Sequence, residues 1–171
     1  MNTTINVNSV SNEDVDVSEY TIDNPKTVDN YMCFEGEYTF TGVVKDKDGT
    51  IAHYANGNLH HDSEPAVIDS YGNKMWRFHN AIHRDNGPAV ENADGSKFWY
   101  LNSKLHREGG PAVELRSGIK RWCLNGKLHR DNGPAVTYSD GSKEWWFNGG
   151  YYGDDDAYTD ESWIAHVATL K

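Results

Sequence analysis

One period governs this chain. Pro65, Pro88, Pro111 and Pro134 stand 23 residues apart, and each opens Pro-Ala-Val. His60, His83, His106 and His129 keep the same step, as do Gly49, Gly72, Gly95, Gly118 and Gly141. Trp76, Trp99, Trp122 and Trp145 form a further series, with His53 in the matching slot of the first unit. Four units run from Gly49 to Asp140, and a half-unit from Gly141 to Gly153. A fixed period of this length means one supersecondary unit stacked on its neighbours.

Each unit carries two turn signals. Asn56-Gly57, Asn125-Gly126 and Asn148-Gly149 suit the tight hairpin turn in which both central residues have positive φ. His79-Asn80 and Asn102-Ser103 fill the same slots with weaker turn chemistry. Asp48-Gly49, Asp94-Gly95 and Asp140-Gly141 supply a second turn at the unit junctions. Between the turns lie short β-type runs such as Lys97 to Leu101 and Ala112 to Leu115, and nothing in the repeats has helical length or period. The expected fold is all-β: an elongated antiparallel β-hairpin repeat sheet or solenoid. One unit buries about five apolar side chains at on the order of 2 kcal/mol each. Ordering its residues costs about 1.5 kcal/mol apiece, so units fold only by sharing a core with neighbours.

Strand alternation predicts a core ladder of Trp76 with Phe78, Trp99 with Leu101, Trp122 with Leu124, and Trp145 with Phe147. Ile82, Leu105, Leu128 and the Val of each Pro-Ala-Val join it. Residues 1–30 read as an acidic, weakly patterned N-terminal segment, and 31–48 as a degenerate capping unit with Tyr38, Phe40 and Val44 as apolar contacts. Residues 49–153 hold the repeats. Residues 154–171 read as an acidic linker and a capping helix: Thr159-Asp-Glu-Ser is a helix start, and Trp163, Val167 and Leu170 follow at helical spacing.

The net charge of -10 is uneven. Residues 1–50 hold ten acids and three bases, 51–150 eleven acids and twelve bases, and 151–171 five acids and one base. Without a basic stripe, direct binding to nucleic acid or to an anionic membrane is not expected. The acidic ends are solvated flanks or a surface for a basic partner, such as a nucleic-acid-binding protein. No run reaches eighteen apolar residues. Met1 to Val10 lacks a basic start followed by an apolar stretch, so no secretory signal is expected. Cys33 and Cys123 have no spacing motif and fit a reducing cytoplasm better than a disulfide framework.

With these residues in view, the chain resembles the MORN repeats, in the 23-residue period and the Asn-Gly-Lys-x-His element. It is more similar to a divergent MORN-like group with Leu-His-Arg-(Asp/Glu)-x-Gly-Pro-Ala-Val units, associated with tailed phages and large DNA viruses. The resemblance covers about residues 36–153 and is most specific from Asn125 to Val136. The chain departs from standard units where Arg-Asp-Asn-Gly-Pro replaces the Gly-x-Gly after the His, which detaches it from the membrane roles proposed for some MORN proteins. The resemblance implies a hairpin scaffold that binds other proteins, encoded by a phage and acting in the host cytoplasm, with no catalysis.

Equivalent His residues two strands apart stand roughly 10 Å from one another, too far to share one metal ion. They are expected to hydrogen-bond loop backbone, with the adjacent Arg84-Asp85, Arg107-Glu108 and Arg130-Asp131 paired. Binding of phosphates by His and Arg is the alternative. No nucleotide loop, nucleophile elbow or paired Cys-x-x-Cys is present, and no cofactor is expected. Residues that recur in every unit belong to the scaffold, which leaves recognition to the slots that vary. Tyr54, Arg77, Tyr100, Cys123 and Trp146 share one such slot, flanked by Met75, Phe98, Arg121 and Glu144. If Trp76 and its equivalents point inward, these point outward, as a stripe of hot-spot composition. Tyr54, Met75, Arg77, Phe98, Tyr100, Arg121 and Trp146 are therefore the candidate partner-binding residues; the alternative is a second core. The expected function is a non-enzymatic scaffold that binds, and by binding inhibits, a host protein. A nucleotide sponge and a virion component are the rivals, and an exposed sheet edge leaves self-association open.

Overall fold

The computed structural model describes residues 15–16, 26–28, 31–33 and 41–171. The chain is mostly β, built from antiparallel hairpin strands with small two-stranded sheets, and a single helix among the described residues ends it. It divides into two compact units, residues 1–80 and 81–171.

In the first unit, strand Gly42–Lys45 pairs antiparallel with Ile51–Ala55, which also pairs with Asn58–Leu59 and Val67–Ile68. Val67–Ile68 then pairs with Lys74–Met75. Strand Val15–Asp16, inside the segment read as weakly patterned, lies parallel to Gly42–Lys45. Lys26–Val28 and Tyr31–Cys33 form a separate hairpin. Val44 is buried as expected, whereas Tyr38 and Phe40 lie outside the described residues.

In the second unit, Val90–Glu91, Lys97–Phe98, Val113–Glu114, Lys120–Arg121, Val136–Thr137, Lys143–Phe147 and Gly150–Asp154 follow one another as antiparallel neighbours. The junction turns are held as their Asp-Gly chemistry requires. Gly95 and Gly141 both take φ of 92°, open to glycine at little cost. Asp94 accepts from the backbone N–H and hydroxyl of Ser96, and Asp140 from those of Ser142, which holds both carboxyls below their ordinary range.

The run expected from Lys97 to Leu101 is divided at Trp99. Lys97–Phe98 stays in the main sheet, whereas Tyr100–Leu101 pairs with Lys104–Leu105 in a hairpin of its own. The cause is the backbone of Trp99, whose N–H donates to Ala112 at 2.8 Å while its carbonyl accepts from His106 at 3.0 Å. One residue thus belongs to both ladders, and the chain turns from one into the other. Cys123–Leu124 and Lys127–Leu128 repeat the arrangement around Trp122. The hairpin turns carry positive φ at both central residues even where glycine is missing, as at Asn102 (49°) and Ser103 (62°).

The core is not the single ladder expected. Trp76 and Trp145 are buried, but Phe78 is 50% exposed and Leu101 is exposed as well. In the first unit the core forms on the opposite side, from Val44, Ala52, Tyr54, Leu59 and Val67 with Met75 packed against them. In the last hairpin it forms on the tryptophan side, from Trp145, Phe147, Trp163 and Val167. The strand Ile51–Ala55 buries Ala52 and Tyr54, while Lys143–Phe147 buries Trp145 and Phe147, which occupy the slots of His53 and Ala55. The buried parity has moved by one residue, and so has switched faces.

The helix Asp160–Leu170 explains the second end. Thr159 and Ser162 cap it reciprocally, each accepting from the other's backbone N–H, with Asp160 and Glu161 in the first turn where the helix dipole favours them. Trp163 is wholly buried, lies 5.4 Å from the Trp145 ring, and donates its indole N–H to the Arg130 carbonyl at 2.8 Å. Val167 is buried beside it, but Leu170, expected on the same stripe, is exposed.

Candidate functional site

Each ladder histidine is placed by the return strand of its hairpin and faces the turn of the next. Nδ1 of His83, His106 and His129 accepts the backbone N–H of Asn102, Asn125 and Asn148 at 3.2–3.3 Å, and His60 does the same for His79. Nε2 faces the carboxylate two residues on: Asp62 and Asp85 at 3.0 Å, Asp131 at 2.7 Å, and Glu108 at 3.9 Å. The second turn residue adds a backbone bond, as from Gly126 to Leu105 and Gly149 to Leu128. The expected bond to loop backbone is present. The acidic partner differs: the histidine faces the adjacent carboxylate, and the arginine reaches past it.

That arginine lies between a tryptophan and a glycine. The Arg107 guanidinium sits 3.8 Å from the centroid of the Trp99 ring, and that of Arg130 4.1 Å from Trp122. On the far side a Cβ at Gly110 would stand 2.9 Å from Arg107 Cζ, and one at Gly133 3.0 Å from Arg130 Cζ. Nη1 of Arg84, Arg107 and Arg130 donates to the carbonyls of Pro88, Pro111 and Pro134, and Arg84 and Arg107 also pair with Glu91 and Glu114 at 3.0–3.1 Å. Thr137 occupies the corresponding slot after Arg130, whose pKa burial lowers. The first repeat replaces the set together: His53 and His61 pack edge to face at 4.8 Å, and Glu64 stands in the glycine slot.

The candidate residues fall into two groups. Within the first unit Tyr54 (6% exposed) and Arg77 (8%) are buried. Tyr54 is core, Met75 packs against that core, and Arg77 donates from Nε to Met75 Sδ and from Nη1 to the Asn80 carbonyl. The outward orientation expected of Tyr54 and Arg77 is therefore reversed: Val44, Leu59 and Val67 pack on the tyrosine side, so the sheet buries that side here. Within the second unit Phe98, Tyr100 and Trp146 are half-buried, Arg121 is exposed, and Cys123 between them is buried, which raises its thiol pKa. Burial also raises the Tyr100 phenol. Phe98 and Arg121 are both in register with Val113, and Arg121 and Glu144 with Val136, so these side chains share one face.

Sequence reasoning missed the residues that complete this face. Glu144 Oε1 accepts from the Tyr138 hydroxyl at 2.6 Å, and Oε2 from Trp146 Nε1 at 2.7 Å. Tyr151 packs 5.0 Å from Trp146, and its hydroxyl donates to Asp154, which pushes the phenol up to about 12. Tyr151 falls in the slot of Ile82, Leu105 and Leu128, which was read as core, and Tyr138 in a varying slot, that of Asp69, Asn92 and Leu115, which the sequence reading passed over.

A shallow, open groove of about 480 Å³ is lined by Arg84, Trp99, Tyr100, Leu101 and Arg107, among others. Both guanidinium groups there are paired with Glu91 and Glu114, which offsets the charge a phosphate would need. Among the described residues no group of three or more His, Cys, Asp or Glu is placed to hold a metal ion. No helix among them is long and apolar enough to cross a membrane. Compared with known proteins, the chain matches no family model and no curated relative.

Proposed function

We propose that the chain is a non-enzymatic repeat scaffold that binds another protein through the variable face of residues 81–171. The observation that carries this reading is where the polar groups go. The recurring imidazoles and guanidiniums of this unit face loop backbone, carboxylates and tryptophan rings of the stack. The slots that change from unit to unit present Phe98, Tyr100, Arg121 and Trp146, types that dominate binding energy where proteins meet. The finer reading, that the bound protein belongs to a bacterial host and is inhibited by the contact, rests on the resemblance to phage repeat proteins. Affinity capture from bacterial lysate, with chemical cross-linking and mass spectrometry, tests both levels. A specific protein should be retained by the wild type, cross-link near this face, and be lost from a Tyr100→Ala/Trp146→Ala variant. Identical captured sets would remove the face from consideration.

A further inference from the structure

The last hairpin sets two carboxylates side by side on the variable face. Glu144 and Asp154 are in register on neighbouring antiparallel strands, where opposed side chains stand about 5 Å apart at Cβ. Like charges so placed repel, yet neither carboxylate has an ion pair among the described residues. Their partners are neutral: Glu144 accepts from the Tyr138 hydroxyl and the Trp146 indole, and Asp154 from the Tyr151 hydroxyl. Those bonds fix the carboxylates in place and leave their charge uncancelled. The Tyr138 phenol is held above its ordinary pKa first by its bond to Glu144, and further by the charges of Glu144 and Asp154. Tyr151 is held up first by its bond to Asp154, and further by the charges of Asp154 and Glu144, so the two acids act as one negative centre. Arg121 opposes this at Tyr138, but it is one guanidinium against two carboxylates. Beside them lies the Trp146 indole, 5.0 Å from the ring of Tyr151, which is 51% exposed. The stack itself shows how such a set holds a cation: the Arg107 guanidinium lies 3.8 Å from the Trp99 ring, with Nη1 3.0 Å from Glu114.

We propose that this face receives a basic partner segment, with one arginine or lysine seated between Glu144 and Asp154 against the Trp146 and Tyr151 rings. This rests on the protein-binding reading above and names the chemistry of the partner. The cation relieves the repulsion between the two acids and gains the aromatic faces, and a guanidinium reaches both carboxylates at once through its planar fork. The net charge of -10 favours the same partner at long range, and residues 151–171, with five acids and one base, add to the surplus. Arg121 sets the limit on the other side of the segment. A second basic residue there is repelled, so the side chains that reach on toward Phe98 and Tyr100 are apolar.

A displayed random peptide library selected on the full chain tests the proposal, with the affinity of enriched peptides measured by fluorescence anisotropy. Peptides carrying an arginine or lysine beside apolar residues should be enriched. Their affinity should fall about tenfold or more with Asp154→Asn, which keeps an acceptor for the Tyr151 hydroxyl and removes only the charge. It should stay within about twofold with Glu161→Gln, which removes the same charge from the helix packed on the opposite, Trp145 side of the sheet. Arg121→Gln should leave affinity unchanged or raise it. Both acid variants should melt close to the wild type, because both side chains are exposed. The basic partner is refuted, and the protein-binding face survives, if the peptides respond to Tyr100→Ala/Trp146→Ala but lack a base, ignore Asp154→Asn, fall as far with Glu161→Gln, or weaken with Arg121→Gln. If neither Asp154 nor the aromatic pair affects any enriched peptide, or none is enriched, both readings fall.

Discussion

Substituting Gly110 with alanine isolates the interaction that recurs through the stack. A Cβ there would stand 2.9 Å from Arg107 Cζ and 3.0 Å from Nε, so the guanidinium must leave its place. It would lose the Trp99 face, worth about 0.5–2 kcal/mol. It would also strain the bonds to the Pro111 carbonyl and Glu114, worth about 1.5–3 kcal/mol each when charged and intact, and less where half-exposed. A loss of about 2–3 kcal/mol is expected. Gly110 is the suitable site because, unlike Gly87 and Gly133, it has no positive φ that would strain alanine independently. Taken alone, Gly→Ala at a compatible position stabilises by about 0.4–1 kcal/mol through the unfolded chain. The double-mutant cycle therefore has a sharp outcome. In the Arg107→Ala background, Gly110→Ala should be neutral or slightly stabilising in urea denaturation followed by tryptophan fluorescence. If Gly110→Ala costs the same with and without Arg107, the two residues do not interact and the account of the Gly-Pro-Ala-Val element is wrong.

The histidine ladder gives a second expectation. His129→Ala removes the acceptor for the Asn148 N–H and the ring packed 4.7 Å from Phe147, and should cost about 2 kcal/mol in the same assay; a change under about 0.5 kcal/mol would show that water replaces the imidazole. A third concerns acid. The hydrogen bond from Lys171, with His129 a lesser contributor, holds the Asp131 carboxyl below its ordinary range. A depressed carboxyl stabilises the fold above its unfolded pKa of about 3.9 and loses that contribution as pH falls through the folded value. Lys171→Met should therefore lower the melting temperature slightly at pH 7, and the gap from wild type should close by about pH 2; a gap independent of pH would rule out the pair.

Much of the hairpin repeat was legible because its determinants are local. Asn-Gly and Asp-Gly fix turns through backbone conformation, and Thr159 with Ser162 fixes the helix start. What was not legible is the side on which each strand is buried. Alternation says only that Tyr54 and His53 face opposite ways, as do Trp146 and Trp145. Which face is covered depends on what packs there: Val44, Leu59 and Val67 against Tyr54, and the helix residue Trp163 against Trp145. Those contacts are long-range, so the parity of Lys143–Phe147 could not be carried over to Ile51–Ala55. The division at Trp99 was hidden for a related reason, since the acceptor of its N–H is thirteen residues away on Ala112.

The first repeat shows which slots of the unit change together. Where Trp becomes His53, Arg becomes His61 and Gly becomes Glu64, and the two imidazoles pack on each other as the guanidinium packs on the indole elsewhere. Three slots change at once because they make one contact: without a guanidinium to accommodate, the glycine is no longer needed. In the half-unit after Gly141 the arginine slot falls on Gly153, and Trp163 from the helix covers Trp145 in its stead. The slots of Phe98, Arg121 and Glu144, and of Tyr100, Cys123 and Trp146, behave otherwise. They exchange aromatic, cationic, acidic and thiol side chains while the tryptophan slot beside them stays fixed as Trp99, Trp122 and Trp145. Positions held by packing drag their neighbours with them when they change. Among the positions that change alone, Cys123 is buried and Glu144 and Trp146 bond each other, whereas Arg121 is exposed and Phe98 and Tyr100 are half-buried, their identity not tied to the tryptophan–arginine–glycine contact.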